Sequence, residues 1–128
     1  MKKLLLILMV GAVILSGCKE PVDGKYAELA QCLTEKGVVN YGAWWCHNCE
    51  SQKKMFGDDF RYITYVECAE GGELTPDPKA CAEAGVTAYP TWAFPGQENL
   101  VGVQTLEDIA KKANCELESD TEVTSAPE

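Results

Sequence analysis

The chain is poor in basic residues. Lys and Arg total 11 against 20 Asp and Glu, a formal net charge of −9 over 128 residues. Phosphate contacts need clustered cations, so this balance argues against a nucleic-acid binder. Long apolar runs are missing too. The one that exists, Leu4 to Leu15, has about twelve residues, short of the roughly 20 that a membrane-crossing helix needs. There is no internal repeat, no low-complexity tract and no room for a second domain. Wholesale disorder is excluded by 46% hydrophobic and 24% charged residues. Histidine occurs once. What the chain has in excess is cysteine, with seven. That points to an oxidising compartment, a metal site or redox chemistry, and spacing has to decide among them.

The N-terminal segment reads as an address. Lys2 and Lys3 precede the Leu4–Leu15 run, which ends Leu15-Ser16-Gly17-Cys18. Charge, core length and small residues before a cysteine resemble a bacterial lipobox. The resemblance implies a signal peptide over residues 1–17, cleavage before Cys18 and a lipid on the Cys18 thiol. The alternatives are an ordinary signal peptide with a chance cysteine, or a short membrane anchor. On the lipoprotein reading, acyl chains hold the mature protein on the bacterial cell membrane, extracytoplasmic on the periplasmic or outer face. The mature chain then has nine basic and twenty acidic residues, a net of −11. Disulfides persist in that compartment.

Residues 18–25 read as the lipidated cysteine and a short linker, and residues 116–128, with five acids and no base, as an acidic disordered tail. The domain between them, residues 26–115, alternates its elements. Helical spacing predicts helices over Tyr26–Lys36, Cys46–Phe56, Lys79–Ala84 and Thr105–Ala113. Strands are expected over Val38–Ala43, Phe60–Cys68, Thr91–Phe94 and Leu100–Val103, the last two around a Pro95-Gly96 turn. Glu70–Pro78 reads as a loop. This order predicts an α/β fold, a small central mixed sheet with helices on both faces. So modest a core would benefit from covalent staples.

The sharpest chemical signal is Trp44-Trp45-Cys46-His47-Asn48-Cys49. A CxxC at a strand-to-helix junction puts the first sulfur near a helix N-terminus, where unpaired N–H groups and the helix dipole favour a thiolate. The second cysteine lies one turn deeper and can close a disulfide with the first. A second signal is Val86-Thr87-Ala88-Tyr89-Pro90-Thr91, where a proline between a helix and a strand suits a cis bond, or else a plain edge-strand proline.

With these two segments the chain resembles the thioredoxin family, WCHNC matching its active-site motif and GVTAYPT its cis-proline segment. The resemblance implies a thioredoxin-like fold. It makes Cys46 and Cys49 the catalytic pair, and places Tyr89, Pro90 and Thr91 along the substrate groove. The match sharpens toward the thioredoxin-like domain of bacterial vitamin K epoxide reductase homologues, over nearly all of Tyr26 to Cys115. There the domain exchanges disulfides with a quinone-coupled membrane enzyme. Here that enzyme is absent from the chain and a lipid tether would replace the fusion. Two positions depart from the thioredoxin pattern. Asn40 occupies the place of a buried Asp that accepts the proton of the deeper cysteine. His47-Asn48 replaces the usual middle dipeptide. His47, if protonated, would stabilise the Cys46 thiolate and make the pair more oxidising; the alternative is an exposed side chain without effect.

Once Cys18, Cys46 and Cys49 are assigned, four cysteines remain, with three possible pairings. Cys68 ends a strand and Cys81 lies in the next short helix; Cys32 is in the first helix and Cys115 follows the last. The expected bonds are Cys68–Cys81, structural or a second redox relay, and Cys32–Cys115, tying the two ends. Zinc on Cys46, Cys49, Cys68 and Cys81 is the competing account, weakened by the wide spacing of the second pair. Trp45 is expected to shield the active site, His47 and Asn48 to tune it with Trp45, and Trp44 and Trp92 to pack in or over the core. Glu50, Lys53 and Lys54 read as a solvated helix face.

The sequence therefore predicts a monomeric, lipid-tethered thiol–disulfide oxidoreductase acting on protein thiols and disulfides. Its partner would be a vitamin K epoxide reductase-like membrane protein, and it would use no cofactor and no metal. The alternative is a non-catalytic binding module with a structural Cys46–Cys49 disulfide.

Overall fold

The computed structural model describes residues 24–118. The segment read as a signal peptide, Cys18, most of the linker and most of the acidic tail lie outside the described residues. The order of elements is α1 (Ala27–Glu35), β1 (Val39–Gly42), α2 (His47–Phe56), a 3-10 helix (Gly57–Tyr62), β2 (Thr64–Glu67), α3 (Pro78–Glu83), β3 (Thr91–Ala93), β4 (Leu100–Val101) and α4 (Leu106–Ala113).

The strands form one mixed sheet in the order β2-β1-β3-β4. β1 runs parallel to β2, with Asn40 opposite Tyr65 and Gly42 opposite Glu67. It runs antiparallel to β3, with Asn40 opposite Trp92. Side chains alternate across a sheet, so Val38, Asn40, Gly42, Ile63, Tyr65, Glu67, Trp92 and Phe94 share one face. The main core gathers on that face. Leu29, Ala30 and Leu33 of α1, Phe56 of α2, and Leu106, Ile109, Ala110 and Ala113 of α4 pack with Trp92. Burying each large aliphatic or aromatic side chain of this set contributes about 1.5–3 kcal/mol. The opposite face carries Val39, Tyr41 and Val66, all half-buried. Cys68 has the parity of Val66, so its bond to Cys81 draws α3 onto this second face. Helices thus cover both faces unequally, three against one.

Local chemistry sets the helix ends. Thr105 caps α4 by accepting the Asp108 N–H at 3.1 Å, and Asp77 caps α3 by accepting the Ala80 N–H at 2.9 Å. Asn114 closes α4 in the left-handed region at φ 53°. The Lys36 ammonium donates to the carbonyls of Ala113 and Asn114, joining the end of α1 to the end of α4. Close by, Cys32 and Cys115 are bonded, with Cα atoms 6.0 Å apart.

Three expectations are corrected. The strand expected over Phe60–Cys68 begins only at Thr64, because Gly57–Tyr62 winds as a 3-10 helix. Gly57 takes φ 59°, Phe60 packs on Phe56 at 6.0 Å, and the Asp59 carboxylate accepts the Tyr26 N–H at 2.9 Å. Trp44 is 56% exposed and not part of the core. Its indole N–H donates to the Glu70 carbonyl at 2.9 Å, and its ring lies against Gly71 and Gly72. Lys53 is half-buried over the Tyr65 ring at 3.8 Å, whereas only Lys54 and Glu50 form a solvated pair, 2.8 Å apart.

Candidate active site

β1 ends at Gly42, and the chain turns through Ala43, Trp44 and Trp45 into α2. Cys46 is the residue that caps α2, in extended backbone at φ −81°, ψ 112°. Its sulfur accepts the Cys49 N–H at 3.2 Å, in the place where a capping oxygen normally sits. A helix N-terminus thus points a backbone donor at the Cys46 sulfur, which suits a negative charge there. Both cysteines are free thiols; Cys46 is 9% exposed and Cys49 2%. They form a small cluster with Ala43, flanked by Ala69 and Tyr89.

The two thiols differ. Burial, and then hydrogen bonding to the Cys46 sulfur, pushes the Cys49 thiol up to about 12. A raised thiol pKa favours the folded state below the unfolded value of about 9, and the advantage is lost as pH rises through about 12. The reduced protein is therefore expected to lose stability relative to the oxidised protein between about pH 9 and pH 12. Urea midpoints of the two forms across that range measure it. A constant difference would contradict the Cys49 shift.

The Tyr89–Pro90 bond is cis. Tyr89 packs against the cysteine cluster and meets Trp45 edge-on, with ring centroids 5.9 Å apart. Trp45 is 60% exposed, so Trp45 and Tyr89 make an aromatic rim beside Cys46. His47 and Asn48 are exposed on the first turn of α2. Pro90 and Thr91 are buried, and the Thr91 hydroxyl donates to the Ala88 carbonyl at 2.7 Å. Of the three residues assigned to the groove, Tyr89 is the one whose side chain reaches the surface. Asn40 is 1% exposed, and its amide nitrogen has no hydrogen-bond partner among the described residues. The sulfurs of Cys68 and Cys81 are bonded to each other, which removes both from any zinc set that includes Cys46 and Cys49.

Sequence reasoning passed over three residues. Gln52, fully buried, ties α2 to the rest of the fold: its carbonyl oxygen accepts the Trp92 indole N–H at 3.3 Å and the Gln104 N–H at 2.7 Å. Tyr65 and Glu67 lie on β2 beneath Cys49. Glu67 is 3% exposed, and its presence in an otherwise aromatic and β-branched strand is the one sequence signal that marked it.

Strand order, a cysteine capping α2 with its partner one turn on, and a cis-proline loop beside them define a thioredoxin-like α/β domain. Its cysteine pair is placed for thiol–disulfide exchange. No family model matches the chain. Thiol-disulfide oxidoreductase LTO1 of Arabidopsis thaliana is 36% identical over 97 residues, 73% of this chain, which spans only 26% of that relative's length. Among solved structures, oxidised thioredoxin O2 of Arabidopsis thaliana is similar with a TM-score of 0.41 and 21% sequence identity, over 71% of this chain and 90% of that one.

Proposed function

We propose that the protein is a thiol–disulfide oxidoreductase that exchanges disulfides with secreted or envelope proteins through Cys46 and Cys49. The observation that carries this reading is the asymmetry of the pair. One sulfur sits at a helix N-terminus with a backbone N–H on it, and the other is buried with its proton held. Such a pair lets Cys46 attack first and Cys49 resolve the mixed disulfide. The exposed Trp45–Tyr89 rim gives an unfolded or extended client an apolar surface beside the reacting sulfur. The similarity to a named thiol-disulfide oxidoreductase supports the same chemistry.

The setting is part of the proposal. Lys2, Lys3, the apolar run and Leu15-Ser16-Gly17-Cys18 support extracytoplasmic lipid tethering through Cys18 to the bacterial cell membrane, on its periplasmic or outer face. No helix among the described residues is long and apolar enough to cross a membrane. A membrane-held donor suits coupling to a quinone-linked membrane oxidoreductase of the vitamin K epoxide reductase type, with the tether in place of a fusion.

Equilibration of a chain starting at Lys19 against glutathione tests the function. Interconversion of the Cys46–Cys49 dithiol and disulfide is expected, followed by mass after acid trapping and alkylation. A potential of roughly −120 to −200 mV marks a disulfide donor or isomerase and fits the quinone-linked partner; roughly −270 mV marks a reductant and counts against it. A pair that stays oxidised at every glutathione ratio would establish the non-catalytic module instead.

A further inference from the structure

We propose that Tyr65 and Glu67 relay the proton that Cys49 loses when it resolves a mixed disulfide, β2 thereby supplying the base that Asn40 does not. The inference rests on the exchange chemistry proposed above. It starts from a difficulty in that chemistry. Burial and the neighbouring Cys46 sulfur hold the Cys49 thiol in its protonated form, yet a thiolate is the attacking species. Some neighbour has to take the proton, and the Asn40 amide cannot.

The geometry offers one route. Gly42 has no side chain, and the point where a Cβ would stand lies 2.9 Å from the Tyr65 hydroxyl oxygen and 3.1 Å from the Cys49 sulfur. The two atoms are therefore no more than about 6 Å apart, across a space that only glycine leaves open. The Tyr65 hydroxyl donates to one oxygen of Glu67 at 3.0 Å. The other Glu67 oxygen accepts the N–H groups of Trp44 at 3.1 Å and Ala69 at 3.0 Å. Two backbone donors thus fix the carboxylate with its free side toward Tyr65. Burial first, and then Glu67, pushes the Tyr65 hydroxyl above its ordinary value, so it passes a proton on instead of keeping a charge.

The charged and titratable groups around this pair are few. α2 contributes Cys46, Cys49 and Lys53, whose ammonium lies over the Tyr65 ring at 3.8 Å and favours an anionic Cys49. The loop after β2 contributes Glu73, which lines a cavity with Trp44, Lys53 and Glu67. That cavity gives Glu67 a path to water.

The step balances. In the mixed disulfide, the bond between Cys46 and the client sulfur breaks and a Cys46–Cys49 bond forms. The Cys49 proton passes to the Tyr65 oxygen as the Tyr65 proton passes to Glu67. The client sulfur leaves as a thiolate, carrying the electron pair of the broken bond, and takes a proton from water. Glu67 returns its proton to water through the cavity. Two electrons move from the cysteine pair to the client disulfide; disulfide donation is the same step run backwards, with Glu67 and Tyr65 returning the proton to Cys49 as it leaves.

The test is a single turnover of the reduced protein with an aromatic disulfide whose thiol product absorbs. The first thiol released reports attack by Cys46, and the second reports resolution by Cys49. Tyr65→Phe and Glu67→Gln are expected to leave the first phase unchanged and to slow the second roughly 100-fold at pH 7. The deficit should close above pH 10, where hydroxide takes the Cys49 proton directly. The double variant should be no slower than the slower single one, because the two groups act as a unit. A second phase within twofold of the parent protein in Tyr65→Phe would overturn the relay, as would a deficit of equal size at every pH. A parent protein with no first phase would instead sink the exchange reading itself. Should Glu67→Gln fail to fold, Tyr65→Phe still decides, since it loses one hydrogen bond and keeps the ring beneath Lys53.

Discussion

Cys46→Ser is expected to abolish exchange, and Cys49→Ser to turn the protein into a trap for its clients. The two substitutions are equally small, and their different outcomes follow from where the sulfurs sit. Cys46 caps α2 beside the Trp45–Tyr89 rim and is 9% exposed, against 2% for Cys49. A serine there keeps the cap but presents an un-ionised hydroxyl, so exchange should fall by roughly 10³-fold or more, about 4 kcal/mol or more of barrier. Cys49 is buried behind Cys46. A serine there leaves the first attack intact and removes the second, so the client stays bonded to Cys46. Non-reducing electrophoresis of Cys49→Ser after exposure to a disulfide-bonded test protein should show adducts that reductant releases. Cys46→Ser and the double variant should show none. Equal adduct formation by all three would mean that another sulfur reacts.

The second large effect concerns stability. Cys32 and Cys115 close a loop with a sequence separation of 83. In the chain-entropy model such a closure contributes about 4.5 kcal/mol, a large part of what a domain of this size has in total. Cys32→Ser with Cys115→Ser should therefore lower the melting temperature by roughly 20 °C or more, read by circular dichroism. The rate of the first exchange phase, measured below the new transition, should not change. The Cys68–Cys81 bond, with a separation of 13, is worth about 3 kcal/mol on the same model. Its loss should be felt less than that, because Trp44 holds the same loop independently through Glu70, Gly71 and Gly72. A melting temperature within a few degrees of the parent in Cys32→Ser/Cys115→Ser would mean that packing between α1 and α4 already restrains the ends.

The features legible in the sequence carry their chemistry in residue identity at fixed spacing. Cys46 and Cys49 before a helix, and Pro90 before a strand, were readable without coordinates. The two structural bonds followed from an even remainder of cysteines and the expected order of elements, and both are present in the structure. Gly57–Tyr62 misled because Phe60 and Tyr62 suit a strand on propensity alone. The glycine turn, and the packing of Phe60 against Phe56, override that preference. Trp44 and Lys53 misled in opposite directions. A tryptophan expected in or over the core covers a glycine loop instead; a lysine expected in water lies over a tyrosine ring. Tyr65 and Glu67 were not legible as partners of Cys49. Their significance depends on the parallel register that sets Glu67 opposite Gly42, a pairing between residues 25 positions apart.

The Cys32–Cys115 bond also governs how the domain carries load. A protein held at one end by an anchor and drawn at the other by a neighbouring segment is under tension. That tension enters at Cys32, crosses one sulfur–sulfur bond and leaves at Cys115. The sheet, α2 and the reacting cysteines all lie within the bypassed stretch, so pulling on the ends does not stretch them. With the bond closed, the only extensible chain is what lies outside it. Opening it would release about 280 Å of contour.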